Sequence, residues 1–567
     1  MNFFGVYHSD YSRSNSGIFD APCITVGRMM LCARGAYSRG SLLALTWGRL
    51  RNRAALGGEG ASDAERVLQA YERWGEDYPR HLEGPVVSCV MDAGSDVLVL
   101  SRDRMGELPV FYARQGDSLA FSDHPDALLK AAKVEPSMDA DGLRELFGLG
   151  PARTPGRTPY RCMMALEPGS ALVARGNRVA VKKYWRIEDA PHEEDATATI
   201  RRTRELVEQC VADVAPLNPA VMLSGGLDST ALTALLKDHV PTLRSFSVDY
   251  QDNARDFRAN AFRPEMDAPY VLAAVRACGT QHRTVTLTQQ ELAAGLDRGV
   301  SLRGFPGMAD IDTSLMLFAE QIVRFDGCVV SGECGDEVFG GYPWFKVAGP
   351  LEDFPWSGSL VLRESLLLPE LRETLKLREY VADIFSTRKA AADPGGEYTP
   401  EARRLRTLQR LCFEFFMPNL QERAQRMCDG AGLAVLTPLC DERLVQYVYN
   451  VPWEMKFMGG QEKGLFREAV ADLLPEKLLR RTKSPYPKTC SPQYSGIVRR
   501  MALKLVEEDD APIFSLIDRR KLKKLAQSPL NPADTPWFGQ LMAGPHLLGY
   551  LWQVNSWLRD RDVQIEL

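Results

Sequence analysis

Two runs in this chain combine residue types and spacings suited to chemistry on a phosphorylated ligand. The first is Pro219-Ala220-Val221-Met222-Leu223 followed by Ser224-Gly225-Gly226-Leu227-Asp228-Ser229-Thr230, then an apolar helical run from Ala231 to Leu236. Two glycines between a strand and a helix N-terminus let backbone amides approach an anion, and the helix dipole favours negative charge there. Phosphate is the expected ligand. The run lacks the Gly-Lys-Ser/Thr ending of a Walker loop, which disfavours a kinase or ATPase of that type. An ordinary turn is the alternative, and the strand, Asp228 and helix together weigh against it. The second run is Val329-Val330-Ser331-Gly332-Glu333-Cys334-Gly335-Asp336-Glu337-Val338-Phe339-Gly340-Gly341-Tyr342. Asp228 and Asp336 each follow a strand at the same sheet edge, and oxygen ligands suit a hard cation. For either alone a helix N-cap is the plainer reading, and both roles can coexist.

These loops need a scaffold that sets strand ends side by side. From about residue 198 helices alternate with short apolar strands, clearest at Asn218 to Leu223, Ser245 to Val248 and Cys328 to Ser331, which predicts a doubly wound parallel sheet. Long amphipathic stretches such as Ala402 to Phe416 predict a helical C-terminal part of the same domain. The first 190 residues read differently. Strands at Gly84 to Met91 and Asp96 to Ser101 flank an Asp92-Ala93-Gly94-Ser95 turn, and Ser62-Asp63-Ala64-Glu65 opens a helix to Trp74 with a capping-box pattern. A mixed α+β domain follows from this. The acidic, proline-containing stretch Ile187 to Asp195 separates the two as a linker, giving domains 1–190 and 198–567.

Composition agrees with two domains, since 567 residues exceed the roughly 250 to 300 at which single cores stop growing. The 45% apolar and 25% charged fractions exclude a disordered or fibrous chain. A net charge of −5 offers no global basic field, so nucleic acid is not an expected partner. Twelve cysteines at scattered positions, without a CxxC pair, read as buried thiols of a reducing compartment. The N-terminus turns polar too soon for a signal peptide, and no apolar run suffices to span a bilayer. Cytoplasm is the expected location, without a membrane partner.

The string SGGLDS resembles the pyrophosphate-binding loop of the ATP-pyrophosphatase group, whose members split ATP into AMP and pyrophosphate. With the second run at its spacing, it resembles the synthetase domain of the glutamine-dependent asparagine synthetase family. Ser245 to Tyr250, Gly307 to Asp312, Glu462 to Glu468 and Lys483 to Thr489 agree further, and look most like a bacterial subgroup with sporulation-associated members. The resemblance covers about residues 60 to 500. It implies an Ntn-hydrolase-like α+β sandwich followed by an ATP-pyrophosphatase domain, with ATP and Mg²⁺ as cofactors and a homodimer as a candidate assembly. It places ATP at Leu223, Ser224, Gly225, Gly226, Asp228, Ser229, Val248, Ser331 and Gly332, and the metal at Asp228 and Asp336. Lys463 and Lys483 match the cations that stabilise departing pyrophosphate. Glu333 matches the glutamate that takes a proton from the attacking nitrogen; a carboxylate tied to loop amides is its structural alternative. The related β-lactam synthetases carry tyrosine there, so Glu333 counts against that specific ring closure.

Several family elements are missing. Working glutaminase domains begin Met-Cys, and position 2 here is Asn2, whose amide cannot form a thioester. The oxyanion element survives only as Trp47-Gly48-Arg49-Leu50-Arg51-Asn52, and no Arg-Gly-Pro-Asp segment exists. A different start of translation is the competing explanation for position 2 and would not restore the other two. Ser62-Asp63, Ser101 to Gly106 and Phe121 to Asp123 retain the pieces that define the fold. Ala434 and Leu436 stand where the family has Glu and Arg, and Gln425 where it has Asp, which opens the identity of the substrate accepted there. The expected activity is adenylation of a carboxylate by MgATP and capture by an amine, without glutamine hydrolysis in this chain. Lactam or isopeptide formation, as in the lasso-peptide cyclases of this family, stands beside ammonia-dependent asparagine formation. A nucleotide-binding pseudoenzyme is the third reading.

Overall fold

A computed structural model describes residues 1–8, 21–58, 60–259, 263–531 and 534–567. The chain does not divide at one cut between 190 and 198. One compact unit holds Met1–Glu145, Arg153–Glu188 and Val563–Leu567, and the other holds Leu146–Ala152 and Asp189–Asp562.

The first unit is built from strands β1 (Phe3–Tyr7), β2 (Cys23–Val26), β3 (Met29–Ala33), β4 (Tyr37–Arg39), β5 (Leu42–Gly48), β6 (Val86–Asp92), β7 (Val97–Ser101), β8 (Phe111–Gln115), β9 (Ser118–Ser122), β10 (Ser137–Met138), β11 (Met163–Ala165), β12 (Ser170–Arg175) and β13 (Arg178–Lys183). They form two six-stranded sheets, in the orders β11-β8-β9-β1-β3-β2 and β13-β12-β7-β6-β5-β4. The paired strands run antiparallel, as in β6 against β7 and β1 against β9. Side-chain alternation explains why β6 reads as almost continuously apolar. Val87, Cys89 and Met91 join Phe3, Leu31 and Phe121 in one core, while Val86 and Val90 join a second core with Val67 and Leu68. Those last two lie on the helix Asp63–Trp74.

Ser62 caps that helix by accepting from the Glu65 amide at 3.2 Å. The reciprocal half of the expected capping box is not formed, because the Glu65 carboxylate faces the Tyr37 hydroxyl instead, at 3.5 Å. In the Asp92–Ser95 turn, Asp92 Oδ1 accepts from the Gly94 amide at 2.9 Å, as an Asx turn requires. The cysteine reading needs a correction. Cys23 and Cys32 face each other across β2 and β3 and form a disulfide; the other ten are free, and Cys162 is exposed.

The second unit centres on β14 (Ala220–Met222), β15 (Arg244–Tyr250), β16 (Gln281–Leu287), β17 (Cys328–Val330) and β18 (Ala434–Leu436), all parallel in the order β16-β15-β14-β17-β18. Chain order therefore reverses direction between β14 and β17. In open parallel sheets such a switch point leaves a crevice at the carboxyl ends of its two strands, and both candidate loops emerge there. Helices Asp310–Ile322 and Met417–Asp429 pack Leu315, Phe318, Ala424 and Cys428 against Phe246 and Val329 of the sheet. The C-terminal part is helical but also returns β18 to the sheet, which its three-residue apolar run Ala434-Val435-Leu436 does not announce in sequence. A final strand, β19 (Gln564–Ile565), pairs parallel with β10 in the first unit.

The stretch expected to be a linker lacks regular structure from 184 to 195 but is anchored in the second unit. Asp189 accepts from Arg406 at 2.8 Å, Arg410 at 2.5 Å and the Tyr449 hydroxyl at 3.0 Å. Arg406 is only 4% exposed, so removing this carboxylate leaves a buried cation poorly matched. Asp189→Ala is predicted to destabilise the second unit by about 2 kcal/mol, reduced from the fully buried case because Asp189 is part-exposed. Thermal unfolding checks this, and an unchanged midpoint would refute it.

Candidate active site

The loop after β14 is held by its own hydroxyls. Ser229 Oγ accepts from the Ser224 amide at 3.2 Å, Ser224 Oγ and Ser229 Oγ lie 3.0 Å apart, and Thr230 Oγ1 donates to the Gly226 carbonyl at 2.6 Å. Gly225 has φ +70°, and a Cβ there would stand 2.5 Å from the Val271 nitrogen, so only glycine fits this turn. Gly226 takes the N-cap position of the helix Leu227–Leu236, and no side chain caps it. The first amides of that helix therefore face the crevice with the polarity that suits an anion.

Asp228 sits in the first turn of this helix, and Asp336 in the first turn of the short helix Gly335–Phe339 after β17. Neither acts as an N-cap. Lys463 Nζ lies 2.5 Å from Asp228 Oδ2 and 2.5 Å from Asp336 Oδ1, and Lys483 Nζ lies 2.5 Å from Asp336 Oδ2. One ammonium thus ties the two loops together. Burial raises the Asp336 carboxyl, but the charges of Lys463 and Lys483 outweigh it and hold the group at about 2. Asp228 shifts upward through burial and the nearby Asp336 charge, against the pull of Lys463. Burial alone would lower Lys463; the two carboxylates reverse that and raise it. Two residues of this network have left-handed backbones uncommon outside glycine, Cys334 at φ +72° and Lys463 at φ +57°. Each immediately precedes a helix that begins in the site.

Glu333 projects from the same β17 loop. Burial raises its carboxyl above the ordinary value, opposed by Arg423 and Lys483. Arg423 NH1 stands 3.6 Å from Glu333 Oε1, its Nε 3.3 Å from Asp312 Oδ1, and its guanidinium lies 4.4 Å over the Tyr486 ring. Glu333 is therefore not tied to loop amides in the way its structural alternative requires.

All the residues expected at the site except Gly225 line one pocket: Leu223, Ser224, Gly226, Asp228, Ser229, Val248, Ser331, Gly332, Glu333, Asp336, Lys463 and Lys483. Sequence reasoning missed Asp267, Arg467 and Arg481, which also line it, and Arg423 behind Glu333. Arg481 donates to the Ser224 carbonyl at 3.0 Å and pairs with Asp267. Glu462 accepts from the Lys483 amide at 3.1 Å and from Arg467, so it orients the lysine segment. Arg467 lies inside a quoted motif, which was a usable signal; Asp267 had none. Neither Ala434, Leu436 nor Gln425 lines the pocket. Val435 does, and alternation along β18 turns its neighbours to the other face of the sheet. Those three substitutions therefore do not reshape the pocket wall directly.

The pocket lining carries four carboxylates and four cationic side chains. They offset one another, so the side chains alone supply no surplus positive charge to a triphosphate. Buried Asp228 Oδ1 has no hydrogen-bond partner and stands beside the lysine-paired Asp336 carboxylate, which suits oxygen ligands for a hard cation. Among the described residues no group of three or more His, Cys, Asp or Glu side chains is placed to hold a metal. Two carboxylates plus substrate phosphates are the mode typical of Mg²⁺.

A parallel sheet with an anion-cradling loop and an acidic loop at its switch point, bridged by lysine, defines a nucleotide-using synthetase domain. The chain belongs to the asparagine synthase family: the family described as Asparagine synthase matches residues 202–559, and a Glutamine amidotransferase domain matches residues 49–185. It is 36% identical over 515 residues, 90% of this chain and 84% of the relative, to Asparagine synthetase (glutamine-hydrolyzing) 3 of Bacillus subtilis (strain 168). Identity is 22% over 463 residues, 75% of this chain and 71% of the relative, with Asparagine synthetase (glutamine-hydrolyzing) 1 of the same organism. It is 23% over 558 residues, 84% of this chain and 80% of the relative, with Amidase chyE of Penicillium rubens. The chain is an ATP-dependent amide-forming ligase with a glutamine amidotransferase-like first domain.

A Cβ at Gly335 would stand 2.7 Å from the Asp228 Cγ. Gly335→Ala is predicted to displace that carboxylate from Lys463 and to weaken MgATP binding by about tenfold. Calorimetry reads this directly, and an unchanged affinity would show that the Asp228 position does not matter.

Proposed function

We propose that this ligase adenylates a carboxylate with MgATP and passes the acyl group to an amine, releasing AMP and pyrophosphate, without hydrolysing glutamine itself. The observation that carries the second half of this reading is Asn2. It stands at the head of β1, where the amidotransferase nucleophile belongs, and it has no thiol. Its backbone amide and Nδ2 both donate to Asp123, at 3.0 and 3.1 Å. The amidotransferase match begins only at residue 49, past β1. The natural amine is then one already present on a peptide or small-molecule natural product, and the bond formed is a lactam or isopeptide. Ammonia-dependent asparagine formation is the second reading; the two Bacillus relatives favour asparagine as the product, though both are named as glutamine-hydrolyzing. Ten of the twelve cysteines are free, which favours the cytoplasm as its location, and the Cys23–Cys32 disulfide weighs against it.

In the proposed chemistry Asp228 and Asp336 hold Mg²⁺, which when bound draws charge from the phosphates. The Ser224–Ser229 loop cradles the phosphates with backbone amides and hydroxyls. The substrate carboxylate attacks the α-phosphorus and pyrophosphate leaves toward Lys463 and Lys483. Glu333 then takes a proton from the amine nitrogen as it adds to the acyl-adenylate and AMP departs. A carboxyl raised by burial is better suited to this than an ordinary one, because its conjugate base holds the proton more firmly. Arg423 keeps Glu333 aimed without neutralising it by a close bidentate contact.

Exchange of labelled pyrophosphate into ATP, driven by a panel of carboxylic acids, tests the first step. It is expected with the right acid and lost in Asp336→Ala; absence of MgATP binding would instead favour a pseudoenzyme. Glutamine is expected not to support turnover, and glutamine-dependent product would overturn the inactive first domain. The two steps should also differ in pH dependence. Amide formation falls as pH drops through the raised Glu333 pKa, an acid limb above the ordinary carboxyl range that Glu333→Gln removes along with most of the rate. Pyrophosphate exchange lacks that limb. A limb shared by both reactions would assign the titration elsewhere.

A further inference from the structure

The helix that carries Asp336 is only five residues long, Gly335–Phe339. A single turn is not stable alone and leaves its last carbonyls without intrahelical partners. Here the carbonyls of Glu337 and Val338 both accept from Nε2 of Gln409, at 2.9 and 2.8 Å. Gln409 belongs to the helix Pro400–Leu411 and is 0% exposed. Its Oε1 accepts from Lys456 Nζ at 2.8 Å, which fixes the amide so that its donor end meets the short helix. Lys456 is equally buried. It also donates to the Tyr449 carbonyl at 3.3 Å and lies 4.6 Å over the Trp453 ring.

An amine buried against an amide, a carbonyl and an indole costs more than an apolar side chain filling the same space. Burial, and after it the Arg406 charge, drives Lys456 well below the ordinary lysine value. Protonated or neutral, the group still has a hydrogen to give Oε1. Stability alone therefore gives no reason for a lysine here, whereas orientation of Gln409 does. The contact also lies at the end of the helix opposite Asp336, whose carboxylate must match Lys463, Lys483 and a cation at once.

We propose that Gln409 and Lys456 are positioning residues for the metal-binding Asp336: Lys456 aligns the Gln409 amide, and the amide clamps the carbonyl end of the Asp336 helix. The inference rests on Asp228 and Asp336 being the Mg²⁺ ligands. The test is calorimetric binding of ATP with Mg²⁺ and of ATP in excess EDTA, in the full chain and in Gln409→Glu, Gln409→Leu and Lys456→Met. Glutamate still gives Lys456 an acceptor, and thus satisfies a purely structural need, but cannot donate to the carbonyls. Gln409→Glu should therefore keep a higher thermal midpoint than Gln409→Leu, yet both should lose about tenfold of the gain in ATP affinity that Mg²⁺ brings. Lys456→Met should lose the same gain, and metal-free ATP should bind all variants as it binds the parent. A full Mg²⁺-dependent gain in folded Gln409→Glu overturns the proposal, as does equal weakening of both forms of ATP. If the parent itself shows no gain with Mg²⁺, the metal assignment fails first and takes this inference with it.

Discussion

The site depends on one buried contact, the Lys463 ammonium held between Asp228 and Asp336. The two aspartates lie on different loops, one following β14 and one following β17, and these strands are neighbours only because chain order reverses between them. Without a cation between them, two buried carboxylates this close would repel, and one would take up a proton. With Lys463 in place they form a unit that also recruits Lys483. Much around the site serves to hold this contact in register: the left-handed turn at Lys463, Glu462 accepting from the Lys483 amide, and Arg481 fixing the Ser224 carbonyl.

The balance of charge in the pocket has a consequence for the order of binding. Four carboxylates and four cations line it, so ATP arriving without a metal finds each lysine already matched by an aspartate. In the proposed chemistry a divalent cation held by Asp228 and Asp336 would take over that pairing, and Lys463 and Lys483 would then be left to the phosphates. The depressed Asp336 carboxyl is consistent with a ligand that stays ionised throughout.

Much of this was legible in the residues. The strand-glycine-helix run at Pro219 to Leu236 was visible because close backbone approach restricts residue types locally, whereas the pairing of Asp228 with Asp336 came from the family resemblance. The parallel sheet was visible through its short apolar strands. What the sequence hid was set by distant partners. Nothing local marks Asp267 as the mate of Arg481, or Arg423 as the neighbour of Glu333, because those contacts exist only after folding. β18 escaped notice because three apolar residues after a long helix carry no period. The same strand shows how an alignment can mislead about a wall: Ala434 and Leu436 differ from the family, but the pleat turns only Val435 toward the pocket.

The first domain carries the sharper lesson about fold and chemistry. Its two sheets are held by alternating apolar residues such as Val87, Cys89 and Met91, and none of these is needed to attack glutamine. Asp123 meets the start of β1 whatever side chain stands there, since it accepts from the backbone amides of Asn2 and Phe3. Asparagine adds a third bond to the same carboxylate through Nδ2. Asn2 thus ties the start of β1 to Asp123 through side chain as well as backbone, so this end of the sheet is held by contacts that require no nucleophile at that position.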